Sequence, residues 1–246
     1  SFSFIPNPHW SRVFPQGQEI QSYLVEACDT QGIREHIDFH TELQCATWQQ
    51  KAKQWRIETS KGEYTADFLI TATGHLADER LPEIAGIEDF DGQVMHSARW
   101  RHDIDLTNQR VAVIGSGASA IQLVPEVAKK AQQLTVFQRS APYILPRPDR
   151  SYTVLEQQLF AKDPSSMQQL RREIFWSNEY NFAQRRNVKN EINRVKKNCL
   201  NFLDKQISDP TLRAKLTPNY EPGCKRLLLS NEYYPTFLQA HVQLEA

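Results

Sequence analysis

The stretch Val111-Ala112-Val113-Ile114-Gly115-Ser116-Gly117-Ala118-Ser119-Ala120 constrains this chain more than any other. An apolar run enters a G-x-G-x-x-A turn and a helical run follows over 121–130. Leu134-Thr135-Val136-Phe137 then closes a β-α-β unit. Each small residue has a mechanical reason. Gly115 permits the tight turn, and Gly117 lets backbone approach a pyrophosphate. Ala120 keeps the helix close to the strand, while the helix start presents free N–H groups and a positive dipole end. Ser116, Ala118 and Ser119 complete the loop, so residues 115–120 are expected to bind a dinucleotide. The plain alternative is a glycine-rich turn with no ligand.

The end of the second strand says which dinucleotide. A site for NADH usually places Asp or Glu there, to accept from the ribose 2′-hydroxyl. This chain has Gln138-Arg139-Ser140 and no acid. Arg139 stands where a guanidinium clamps a 2′-phosphate, so NADPH is favoured over NADH. Otherwise Arg139 is a surface residue at a strand end.

Composition removes several classes. Lys+Arg and Asp+Glu both number 29, and this balance argues against nucleic acid or an anionic membrane as a whole-chain partner. Apolar residues make up 40%, enough for a packed core across 246 residues. No run approaches the roughly 18 apolar residues of a membrane span, and the N-terminus lacks the pattern of a signal peptide. Cys28, Cys45, Cys199 and Cys224 are scattered without a C-x-x-C, so neither disulfide framework nor metal site is expected. A cytoplasmic location with reduced thiols is the corresponding expectation.

Along the chain, Ile20, Tyr23, Leu24 and Ala27 recur at helical spacing over 18–27. Short runs at 37–43, 45–49, 54–59 and 63–66 predict a small antiparallel meander, with Ser60-Lys61-Gly62 as a hairpin turn. Phe68-Leu69-Ile70-Thr71-Ala72-Thr73-Gly74 reads as a buried strand leading into a loop. Residues 78–105 form an ordered connector. Residues 151–216 read as helical, and Arg185, Arg186, Lys189, Arg194, Lys196 and Lys197 most simply form a solvated face. The fold class is α/β.

Just before the fingerprint lies Phe90-Asp91-Gly92-Gln93-Val94-Met95-His96-Ser97-Ala98-Arg99-Trp100, the pattern F-x-G-x-x-x-H-x-x-x-W. With this string the chain resembles the class B flavoprotein monooxygenases, in particular the type I Baeyer–Villiger monooxygenases. Ser1-Phe2-Ser3-Phe4 with Trp10, Phe14, Gln18-Glu19-Ile20 and Tyr23-Leu24 is similar to the segment after the family's first flavin-contacting loop. Ala72-Thr73-Gly74 resembles its linker, and Leu81-Pro82-Glu83-Ile84-Ala85-Gly86 the stretch before the fingerprint. Gly223-Cys224-Lys225-Arg226, followed by Tyr233-Tyr234, resembles the return from the NADPH domain. Arg101 departs from the family, which usually has Pro or Asp there. Trp100 favours the Baeyer–Villiger branch over relatives that oxygenate nitrogen or sulfur.

The resemblance implies a Rossmann-like NADPH-binding domain with a helical insertion, plus part of an FAD-binding α/β domain carrying the meander. Residues 1–98 would belong to the FAD domain and linker, and 99–226 to the NADPH domain, with helical segment 151–216. Residues 227–246 would return into the FAD domain. Only one glycine fingerprint is present, so the expectation is a central piece of a longer polypeptide, whose remainder completes the FAD site.

The implied activity is NADPH- and O2-dependent oxygen insertion next to a ketone carbonyl, through a C4a-peroxyflavin. Arg226 would stabilise negative charge beside the flavin, and Lys225 would reach the NADPH 2′-phosphate beside Arg139 and Ser140. His96 would couple cofactor movement to catalysis from the hinge connector. Thr73 and Gly74 would approach the cofactors through the backbone, and Leu43 would touch the FAD adenine. Three other readings stay open. They are N- or S-oxygenation, a pyridine-nucleotide disulfide oxidoreductase (which needs a redox cysteine pair not spaced for here), and a non-catalytic NADP-binding module.

Overall fold

The computed structural model describes residues 1–74, 76, 78–186 and 188–246. The chain divides into two compact units, residues 1–7 with 15–99, and residues 8–14 with 100–246.

In the first unit, helix α1 (Gly17–Thr30) extends beyond both ends of the periodic run that predicts it. It buries Tyr23 and Ala27, while Ile20 and Leu24 stay exposed. The Tyr23 hydroxyl donates to the Ile5 carbonyl and accepts from the Phe2 amide, both at 2.7 Å, which ties the first residues to the helix. Strands β1 (Leu43–Gln49), β2 (Gln54–Thr59) and β3 (Gly62–Ala66) form the antiparallel meander in that order. Trp48 and Trp55 pair across β1 and β2, with rings edge-on at 5.6 Å. The β2–β3 turn is Ser60-Lys61, with Gly62 opening β3 at φ 145°.

Two expected strands are absent. Residues 37–42 do not join β1, because Leu43 already faces Thr59 at the end of β2 and His40 takes a left-handed φ of 54°. The run 68–74 is not a buried strand either. No strand among the described residues pairs with it, and Phe68 and Ile70 are 85% and 86% exposed.

The second unit is built on a parallel sheet. Strand β4 (Arg110–Ile114), helix α2 (Ala120–Ala128) and strand β5 (Gln133–Phe137) make the β-α-β unit. The chain then passes through β6 (Ile144–Leu145), α3 (Val154–Lys162), α4 (Pro164–Arg185), α5 (Lys189–Gln206) and α6 (Pro210–Lys215). It closes with β7 (Leu228–Leu229), α7 (Tyr233–Thr236) and β8 (Val242–Glu245). Local chemistry sets these boundaries. Thr153 and Glu156 form a reciprocal capping box on α3. Pro164 and Pro210 open α4 and α6, where a missing N–H costs no helical hydrogen bond. The Arg185 side chain lies outside the described residues.

Strand order is β4-β5-β8, with β5 in the centre and parallel to both neighbours. Residues 227–246 pack within this compact unit. Val242 and Leu244 pair beside Leu134 and Val136, and Tyr233, Tyr234 and Phe237 fill the same core. Burying such apolar side chains is favourable enough to hold the segment here, at roughly 1.5–3 kcal/mol each. Val124, Leu134, Val136, Ile144, Leu203, Ile207 and Leu216 are fully enclosed in that core. Residues 8–14 also belong to this compact unit. Val13 donates to the Arg150 carbonyl at 3.0 Å, Tyr152 donates to the Ser11 carbonyl at 3.0 Å, and Gln157 reaches the Trp10 carbonyl at 2.9 Å.

Candidate dinucleotide site

The loop 115–119 joins β4 to α2 at the carboxyl ends of the parallel strands, where open α/β sheets bind ligands. Gly115 adopts φ 119°, which a side chain rarely tolerates, and its N–H donates to the Phe137 carbonyl at 2.8 Å. A Cβ added at Gly117 would meet no protein atom within 4 Å. Internal packing therefore does not demand this glycine, and the open space fits a closely approaching ligand. Ala120 is buried against the strand, as close helix packing requires.

The amides of Gly117, Ala118, Ser119 and Ala120 meet no backbone or side-chain acceptor among the described residues. Ser119 occupies the N-cap without capping through its hydroxyl. A helix start with several unpaired N–H groups and an open glycine suits a diphosphate.

The strand-end residues divide by direction. Gln138 points inward, buried, and its Nε2 donates to the Lys215 carbonyl at 2.9 Å. Arg139 points out, exposed and without an ion-pair partner among the described residues. Ser116 Oγ donates to the Ser140 carbonyl at 2.7 Å, and Lys225 Nζ donates to Ser140 Oγ. Ser140 and Lys225 are distant in sequence and meet because β6 and β7 pair in parallel, with Leu228 donating to the Tyr143 carbonyl at 3.0 Å. The structure thus brings Ser116, Ser140 and Lys225 into one hydrogen-bonded cluster.

Arg226 is exposed, beside Lys225 in the chain, with no ion-pair partner among the described residues. Lys196, in contrast, pairs with Glu221 at 2.7 Å and Arg194 with Glu191 at 2.7 Å, so part of the predicted solvated face is internally neutralised.

Sequence reasoning missed two residues beside this cluster. Tyr220 lies under Lys225, with the ammonium 4.6 Å from its ring centroid. Tyr143, almost fully buried, donates its hydroxyl to the Tyr220 carbonyl at 2.7 Å and meets the Tyr220 ring edge-on. Only the aromatic content of the stretches flanking Ser140 and Lys225 hinted at them.

The remaining predicted residues belong to the first unit. Thr73 and Gly74 are exposed, Gly74 at φ 73° with room for a Cβ. Leu43 opens β1 and is exposed. His96 accepts at Nδ1 from the Ala98 amide at 3.1 Å, just before a 3₁₀ turn over Ser97–Arg99. A Cβ at Gly92 would meet only the outer edge of the exposed Phe90 ring, which can turn aside. Trp100 begins the second stretch of the other unit and packs against its core. The F-x-G-x-x-x-H-x-x-x-W string therefore crosses the boundary between the units, with His96 on one side and Trp100 on the other. Arg101 pairs with Asp103 at 2.6 Å.

Residues 3–197 match the family model for pyridine nucleotide-disulphide oxidoreductases. The chain belongs to that family. It is 43% identical, over its whole length, to 47% of a Baeyer–Villiger monooxygenase of Streptomyces coelicolor. Over 98% of its length it is 37% identical to 46% of another from Pseudomonas aeruginosa. It spans about half the length of the curated relatives it matches.

Among solved structures, an oxidized steroid monooxygenase bound to NADP superposes with a TM-score of 0.85 at 28% identity, covering 100% of this chain and 54% of that one. OTEMO in complex with FAD and NADP shares the fold, with a TM-score of 0.82 at 24% identity over 96% of this chain and 52% of that one. No helix among the described residues is long and apolar enough to cross a membrane, and no cluster there suits a metal ion.

Proposed function

We propose that these residues form the NADPH-binding unit, and part of the FAD-binding unit, of a monooxygenase that inserts one oxygen atom next to a ketone carbonyl. The single observation that carries the reading is the open loop 115–120, with free amides beside the Ser116–Ser140–Lys225 cluster. The relatives' names supply the reaction class. The second unit is the NADPH domain in this reading, and the first contributes to FAD binding through Thr73, Gly74 and Leu43. The rest of the FAD site comes from polypeptide outside these 246 residues.

The balance is fixed by chemistry. NADPH gives up a hydride, a proton is taken up, one atom of O2 enters the carbon–carbon bond and the other leaves as water. Bound FAD supplies the relay of those two electrons to dioxygen. The protein's own residues bind and orient. The amides of 117–120 hold the diphosphate, while Arg139 and Lys225 read the 2′-phosphate through charge-assisted hydrogen bonds. Arg226, always charged and planar, offers fixed positive charge where negative charge develops on oxygen, and cannot quench it by giving up a proton. In this reading His96, in the connector shortly before the unit boundary, couples movement of the nicotinamide cofactor to turnover.

The test uses the full-length flavoprotein with a cyclic ketone and a thioether. Arg226→Ala is expected to keep flavin bleaching by NADPH while losing ester or lactone product by about a hundredfold. Product formation at the wild-type rate would remove Arg226 from the chemistry. Sulfoxide in place of lactone in the wild type would move the reading to S-oxygenation.

A further inference from the structure

We propose that Tyr220 is a positioning residue for nucleotide choice, holding Lys225 ready for the 2′-phosphate of NADPH before the cofactor arrives. This rests on the reading of the second unit as an NADPH site and deepens it.

A lysine ammonium on its flexible stem ordinarily spreads over many rotamers, and a ligand that captures it must bear the ordering cost. Here two contacts select one arrangement. The ammonium stands 4.6 Å from the Tyr220 ring centroid, within cation–π range, and donates to Ser140 Oγ. An ammonium has three N–H donors; Ser140 takes one and two remain for a phosphate.

Ser140 is itself fixed, because its carbonyl accepts from Ser116 of the phosphate-binding loop at 2.7 Å. Tyr220 is fixed in turn. The Tyr143 ring meets it edge-on at 5.4 Å, and the Tyr143 hydroxyl holds its carbonyl at 2.7 Å. Tyr143 is 2% exposed and immediately precedes β6, whose pairing with β7 sets the path of the chain after Lys225. The series Tyr143–Tyr220–Lys225–Ser140–Ser116 thus runs unbroken from buried core to diphosphate loop. It arranges a cation without spending any group the phosphate needs.

A merely structural Tyr220 would affect NADP+ and NAD+ alike. A positioning Tyr220 affects only the nucleotide that carries the extra phosphate. The experiment measures dissociation constants of NADP+ and NAD+ for the full-length flavoprotein by calorimetry, together with the thermal midpoint, for wild type and the variants Y220L, Y220F, Y143F and K225A. Y220L is expected to narrow the NADP+ advantage about three- to fivefold with NAD+ binding unchanged, while Y220F retains the advantage because the ring face remains. Loss of the Tyr143 hydroxyl in Y143F is expected to narrow it about twofold, and this variant carries the test if Y220L does not fold. A Y220L ratio equal to wild type, alongside a collapsed ratio in K225A, overturns the role of Tyr220 alone. An unchanged ratio in K225A removes Lys225 from the 2′-phosphate site and overturns this inference with it, whereas a wild type with no preference for NADP+ overturns the NADPH reading itself.

Discussion

Arg12 and Asp149, 137 positions apart, are joined within one unit: the guanidinium approaches the carboxylate at 2.9 Å, and its Nε donates to Oδ1 at 3.2 Å. The Phe14 amide donates to the same Oδ1 at 3.2 Å, and Arg147 lies 3.5 Å from Oδ2. Burial alone would raise the Asp149 pKa. The Arg12 hydrogen bond, the Phe14 amide and the two guanidinium charges outweigh it and hold the carboxyl below the ordinary value. One buried carboxylate therefore fastens residues 8–14 to a unit from which their chain neighbours on both sides are excluded.

Asp149→Ala is expected to loosen that fastening while the core stays intact. Backbone amide exchange over Ser11–Phe14, followed by mass spectrometry, would rise about tenfold, the scale of losing hydrogen bonds to a charged group. Exchange in β4, β5 and β8 would stay at wild-type rates. Unchanged protection at Val13 would show that the backbone ladder to Arg150 and Ser151 suffices.

Gly117→Ala separates folding from binding. The added methyl meets no protein atom within 4 Å, so the thermal midpoint is expected to stay within about 3 °C of wild type. NADP+ affinity is expected to fall about tenfold or more, because that methyl occupies the space a diphosphate needs. Equal affinity in the variant would show that the ligand does not approach this backbone.

Much of the second unit is legible in sequence because its signals are local. The fingerprint and its flanking apolar runs set β4, α2 and β5, and helical period with proline placement marks the segment 151–216. The rest needs long-range pairing. Nothing in the composition of 227–246 says that Val242–Glu245 will join β5, since a short apolar strand is equally readable as the start of another sheet. The run 68–74 shows the converse, with strand-like composition but no neighbour among the described residues to take its hydrogen bonds. Of the site, Arg139 and Ser140 follow from their offset to Gly115. Tyr220 and Tyr143 have no such offset: Tyr220 meets Lys225 within one short loop that carries no motif, and Tyr143 reaches Tyr220 only from a distant part of the chain beside the β6–β7 pairing.

Acid sensitivity should concentrate at the start of α3. The Arg150 hydrogen bonds, then the Thr153 amide, bring the Glu156 carboxyl down to about 2 from an ordinary value of 4.5. Because the folded pKa is depressed, the contribution of Glu156 is fully present above about 4.5 and fades as pH falls towards 2. Glu156→Gln is expected to lower the urea midpoint at pH 7, and the gap from wild type is expected to shrink at pH 3.5. A constant gap across that range would mean that the cap acts through shape rather than charge.

The thiols should separate by reactivity. Cys45 and Cys224 are exposed, whereas Cys199 is 2% exposed and burial pushes its pKa up to about 12. A disulfide reagent at pH 8 is expected to modify Cys45 and Cys224 promptly and Cys199 only on addition of denaturant. Prompt labelling of Cys199 in the native protein would show that α5 opens readily from the core.

The central position of β5 has a consequence for biogenesis. Its two partners lie at opposite ends of the unit's main stretch, and Leu134 meets Val242 only after five intervening helices have been made. On the ribosome, β4, α2 and β5 emerge first and must keep one apolar edge unpaired until translation reaches β8. Closure of the sheet is therefore expected to come late, set by that long separation, with the edge of β5 left open until its second neighbour is synthesised.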